Sequence, residues 1–150
     1  MSMACIFIIF CVAILIFTTL LYTPIIKISR LQYKEIIDNG LLHFTSEENA
    51  VSIMGKQEIN GTIDRMAFAK SLGELVWCYP YRSLDDIEHY HEILLTKKDA
   101  KKYCVCLKLS GFSDVVLHCL YWRKGFGGDS AIAYRGRTMK QNKIEIVKKF

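Results

Sequence analysis

The stretch Leu41 to Gly61, LLHFTSEENAVSIMGKQEING, constrains this chain more than any other. It reads as a short strand carrying a histidine, a capped helix and a glycine turn. Leu41, Leu42 and Phe44 surround His43 with apolar strand formers. Thr45 and Ser46 then offer capping oxygens ahead of Glu47 and Glu48, whose charges suit a helix N-terminus. Ala50, Val51, Ile53 and Met54 supply the apolar side of the helix, and Gly55 is the expected C-cap.

Ahead of this stretch the chain is of another character. From Met3 to Tyr22 no residue is charged, and at about 1.5 Å per helical residue such a run spans roughly 30 Å, the thickness of the hydrocarbon core of a bilayer. A cleaved signal peptide would want basic residues at the start and a small-residue cleavage site, and neither is present. The expectation is an uncleaved transmembrane anchor over residues 1–26, leaving at Pro24. Lys27, Arg30 and Lys34 follow it with nothing basic before it, which orients a single-pass protein with its C-terminal domain in the cytoplasm. The sequon Asn60-Gly61-Thr62 would matter only if that domain faced a lumen. Residues 27–39 form a juxtamembrane linker or short helix, with Ile25, Ile28, Leu31 and Ile36 able to share one face and Ile37 off it. Residues 40–150 are the right size for one small domain with its own core.

The six cysteines suit a reducing compartment. Cys5 and Cys11 lie in the apolar run, and Cys78, Cys104, Cys106 and Cys119 lie in apolar, strand-like segments as small hydrophobes. No C-x-x-C knuckle is present, and His89 and His91, two apart on a helical stretch, point away from each other. They are expected on the surface, and no metal site is expected.

Through Thr96 the chain has seven Lys and Arg against eleven Asp and Glu, and from Lys97 onward thirteen against four, so the net charge of +5 comes from the last third. Either these lysines are a solvated face, or residues 97–150 meet a protein or an anionic, phosphate-rich partner.

The remaining elements follow from local pattern. Leu75 to Tyr79 is a strand stopped by Pro80. Ser83 caps a helix with Asp85 and Asp86 in its first turn, and Thr96 caps a short one running through Ala100 to Tyr103. Strands are expected at Cys104–Leu109, Val115–Trp122, Ala131–Tyr134 and Ile144–Val147, with a loop around Ile63–Leu72 and a flexible connection at Lys124–Ser130. Helices early and strands late give an α+β class. The glycine-rich connection lacks the G-K-[S/T] ending of a Walker loop, and no G-x-S-x-G elbow occurs.

Leu42-His43-Phe44-Thr45-Ser46-Glu47-Glu48-Asn49-Ala50, followed by Ile53, Gly55 and Ile59, resembles the opening motif of small ADP-ribosyltransferase-like domains. These include bacterial toxin ADP-ribosyltransferases and the RNA phosphotransferases of that fold. The likeness covers roughly twenty residues well and the rest of the domain in outline, as a small two-sheet fold. It implies NAD as cofactor, with His43 orienting the nicotinamide-side ribose and Thr45 helping to position the dinucleotide. It also implies an aromatic residue against the nicotinamide, taken as Tyr79 with Tyr81 behind it. Ala131 to Tyr134, Gly136 and Ile144 to Ile146 resemble the closing strands.

The catalytic glutamate of such domains has no unmistakable counterpart. Glu145 is the sole Glu after Glu92, and alternation with Ile144 and Ile146 puts its carboxylate on the face opposite theirs, either cleft or solvent. Asp129 is the other carboxylate in reach. Two functions follow. One is a membrane-anchored ADP-ribosyltransferase that modifies a macromolecule using His43, Tyr79 and Glu145. The other is a catalytically inactive, membrane-tethered binding or immunity protein of the same fold.

Overall fold

The computed structural model describes residues 2–21, 25–63, 73–95, 100–124 and 130–150. Its elements run α1 (Met3–Leu21), β1 (Ile25–Lys27), α2 (Arg30–Asn39), β2 (Leu41–Thr45), α3 (Glu47–Lys56), β3 (Glu58–Asn60), β4 (Thr62–Ile63) and β5 (Glu74–Pro80). They continue with α4 (Asp85–Leu95), a 3-10 turn (Ala100–Tyr103), β6 (Val105–Ser110), α5 (Asp114–His118), β7 (Leu120–Lys124), β8 (Ser130–Arg135), β9 (Thr138–Lys140) and β10 (Lys143–Lys149). The class is α+β. An eight-stranded sheet has the order β1-β7-β8-β5-β2-β6-β10, with β4 added to β5, and β3 and β9 form a separate pair. Its described pairings are antiparallel.

The expected membrane anchor is corrected. Among the described residues no helix is long and apolar enough to cross a membrane. The side chains of α1 from Met3 to Phe17 are exposed. The single-pass topology and the cytoplasmic placement drawn from it are therefore unsupported.

The stretch expected as a linker takes part in the fold. β1 pairs with β7 through Ile25–Arg123 to Lys27–Tyr121. Ser29 then starts α2 with a reciprocal capping box to Gln32, satisfying two otherwise orphaned helix donors. Ile28 and Ile36 are buried in the main core, whereas Leu31, expected beside them, is exposed. Gly40 closes the helix with φ +87° while its Cα lies against the carbonyl of Leu109, leaving no room for a Cβ.

Strand alternation decides which side chains meet which layer. Leu41, Val76, Cys78, Val105, Leu107 and Leu109 face a core shared with α2, α3 and α5. Leu42, Phe44 and Cys106 face the opposite way, onto Ile87, Tyr90 and Leu94 of α4. The central strand β2 is thus covered on both sides, which explains its unbroken apolar run around His43.

Two local expectations are revised. Val115 to Trp122 is not one strand: Ser113 caps α5 by accepting from the backbone N–H of Val116, and this local capping overrides the β preference of Val115 and Val116. Gly55 is not the cap of α3, which runs to Lys56 and ends on Gln57 in the left-handed conformation. The loop expected around 63–72 and the glycine-rich connection fall almost entirely outside the described residues.

Candidate functional site

The site begins with a ladder that stops early. β2 pairs with β6 along its whole length, from Leu41–Leu109 to Thr45–Val105. On its other side it pairs with β5 only at Leu41–Pro80 and Leu42–Tyr79. Beyond that point the two strands part. The far end of β5 is taken by β4, at Leu75–Thr62 and Glu74–Ile63. Val76 to Cys78 are left, among the described pairings, with a ladder to β8 alone, and the gap opens into a cleft of about 830 Å³.

His43 stands at the fork. Its Nδ1 is 2.9 Å from the carbonyl oxygen of Trp77, so a side chain bridges the strands where the backbone ladder has ended. A carbonyl can only accept, which puts the proton on Nδ1 and leaves Nε2 with an acceptor lone pair. The ring is half-buried, and burial holds its pKa below the ordinary histidine range, against the smaller opposing pull of the Trp77 carbonyl. At neutral pH His43 is an uncharged imidazole of fixed tautomer.

Thr45 is buried on the same wall, and Ser46 beside it caps α3 by accepting from the backbone N–H of Asn49. Tyr79 comes from β5. Its ring packs edge-on against Phe44 at 5.8 Å and lies 4.8 Å from that of Tyr90, and burial pushes its phenol well above the usual range, so it remains a protonated donor. Trp77, two residues back on the same face, continues the aromatic wall toward β8.

His43, Thr45 and Tyr79 are therefore brought together. Tyr81 and Glu145 are not. Tyr81 lies past the end of β5 beside Pro80, Gly40 and Glu35, with the Lys108 ammonium 4.6 Å from its ring centroid. Glu145 lies on β10, the far edge of the sheet, opposite Lys108, where its half-exposed carboxylate pairs with Lys143 at 3.4 Å. The sequence left that face open between cleft and solvent; it is solvent. Asp129 lies outside the described residues.

Sequence reasoning missed Asn49, Trp77, Lys102, Tyr103 and Arg123, all of which line the cleft. Asn49 had a signal, one helical turn from the Ser46 cap. Arg123 had none, since only the β7–β8–β5 register brings it there. His91, expected on the surface, is buried and stacked on Phe150 with ring centroids 3.4 Å apart. Among the described residues no three His, Cys, Asp or Glu side chains gather to hold a metal ion. The buried thiols of Cys78 and Cys106, pushed up to about 12 by burial, are unsuited to act as nucleophiles.

Compared with protein-family models, with curated proteins and with solved structures, the chain matches none.

Proposed function

We propose that this chain is an ADP-ribosyltransferase-like protein whose cleft between β2 and β5 takes a nicotinamide nucleotide, NAD, and that it serves as a binding module rather than a Glu145-dependent transferase. The observation that carries this reading is the fork itself. A strand pair that separates after two residues leaves two polar strand edges facing a cavity, with His43 on one wall and Tyr79 on the other. The volume, about 830 Å³, is within the ordinary range for small-molecule sites. A neutral His43 with its proton on Nδ1 presents Nε2 as acceptor for a ribose hydroxyl, and the aromatic wall of Trp77 and Tyr79 suits a planar ring.

Transfer chemistry would need a carboxylate against the ribose to stabilise developing positive charge. Glu145 is on the edge strand β10, with β6 between it and β2, and its carboxylate pairs with Lys143 in solvent. What supports a binding role is this separation of histidine and glutamate.

The test is thermal unfolding of the whole chain with increasing NAD. A ligand that binds the folded state raises stability by mass action, by about 2.7 kcal/mol at a hundredfold excess over Kd. A Tm rise that saturates with NAD and is lost in His43→Ala supports the reading. An unchanged Tm at millimolar NAD contradicts it.

A further inference from the structure

We propose that Arg123, laid across β8 onto Trp77, is the phosphate-recognising residue of the cleft, so that the site takes phosphorylated nicotinamide nucleotides and discriminates against the uncharged-sugar riboside. This deepens the nicotinamide-nucleotide reading and rests on it for the identity of the base.

Three observations carry the inference. The first is register. Trp77 on β5 pairs with Ala133 on β8, and Arg123 on β7 pairs with Ala131 on β8, so Trp77 and Arg123 are two strands apart with β8 between them. Strands lie about 4.8 Å apart, so the side chains start roughly 10 Å from one another. They meet nonetheless: the Arg123 guanidinium carbon is 5.5 Å from the Trp77 ring centroid. Alanine methyls at 131 and 133 leave the surface of β8 low enough for the arginine stem to cross it. A larger side chain at either position would stand in its way.

The second observation is charge. Arg123 and Lys102 both line the cleft, against a single carboxylate among its described lining residues, Glu48, while His43 is neutral. The described lining thus carries a positive excess, although Lys102 and Arg123 both have other interactions of their own. Both cations come from the basic last third of the chain.

The third is chemistry. A guanidinium is a planar fork of N–H donors that matches two phosphate oxygens at once, and its contact with the Trp77 ring holds the Arg123 head at the cleft wall. A ligand with its ring on the Tyr79 side and a phosphoryl group at Arg123 would span the cleft from the fork to β7.

The experiment is calorimetric titration of the whole chain with nicotinamide mononucleotide, nicotinamide riboside and inorganic pyrophosphate, on wild type, Arg123→Gln and Arg123→Lys. The expected result is mononucleotide binding at least tenfold tighter than riboside in wild type, with measurable pyrophosphate binding. In Arg123→Gln that preference collapses to within about twofold and pyrophosphate binding is lost, while riboside affinity is unchanged. Arg123→Lys, which keeps the charge and loses the fork, should fall between. Equal binding of mononucleotide and riboside by wild type overturns the inference. So does an Arg123→Gln protein that loses stability but keeps the wild-type preference, the result a purely structural cation–π contact would give. If pyrophosphate binds through Arg123 and neither nicotinamide compound does, the phosphate site stands and the nicotinamide reading fails. If none of the three binds, both fall.

Discussion

The Nδ1 of His43 lies 2.9 Å from the carbonyl oxygen of Trp77, one residue beyond the last backbone pair that joins β2 to β5. This side-chain bond sets the angle of the imidazole and holds the two walls of the cleft at the fork. Removing it has two separable consequences. His43→Ala should lose about 1 kcal/mol of stability, the net worth of one such hydrogen bond, plus a smaller packing loss. It should lose at least tenfold in NAD affinity, because the Nε2 acceptor goes with the ring. Urea unfolding and calorimetry on the same variant measure the two losses independently.

Acid should destabilise the fold through His43 and His91. Burial lowers the pKa of both, against the Trp77 carbonyl for His43 and against Glu92 for His91. The unfolded chain therefore binds protons that the folded one refuses, and stability increases with pH in this window. It is fully present above about pH 6.5, the unfolded histidine value, and is lost as the pH falls toward the folded values. The urea midpoint should decline between pH 7.5 and 5. His91→Phe, which keeps an aromatic ring against Phe150, should flatten part of that decline.

Glu145→Gln should be silent. The carboxylate is half-exposed and its ion pair with Lys143 is a surface pair, so the stability change should stay within about 0.5 kcal/mol. NAD affinity and any release of nicotinamide should match wild type. A tenfold fall in either would mean that β10 reaches the bound nucleotide.

Two glycines should respond in opposite directions to alanine. Gly40 has φ +87°, and a Cβ there would sit 2.5 Å from the Leu109 carbonyl oxygen, so Gly40→Ala should cost about 2 kcal/mol or more. Gly55 lies inside α3 with nothing within 4 Å of an added Cβ, so Gly55→Ala should gain up to about 1 kcal/mol. Denaturant midpoints of the two variants relative to wild type give both signs.

Much of the architecture was legible where it is local. The Ser46 cap with Glu47 and Glu48, the stop of β5 at Pro80 and the α+β class follow from capping, proline and propensity. The apolar surround of His43 likewise marks β2 as a strand covered on both faces. The rest depends on contacts between distant segments. β3 and β9 are short strands without a pattern of their own, and they exist because Glu58–Asn60 meets Thr138–Lys140. Arg123 enters the cleft through the order of three strands. The side of Glu145 was undetermined because alternation gives two faces and cannot say which of them is a cavity. The membrane span expected from the hydropathy of Met3 to Tyr22 has no counterpart, since among the described residues no helix is long and apolar enough to cross a membrane.

The most direct test of the nucleotide cleft uses the fluorescence of Trp77. The chain has two tryptophans, and Trp122→Phe leaves Trp77, on the wall of the cleft, as the sole reporter. Titrating NAD into this variant should change the Trp77 emission in a saturable way, and the change should disappear when His43→Ala is added. A flat emission up to millimolar NAD, or a saturable change that survives the loss of His43, would contradict the account.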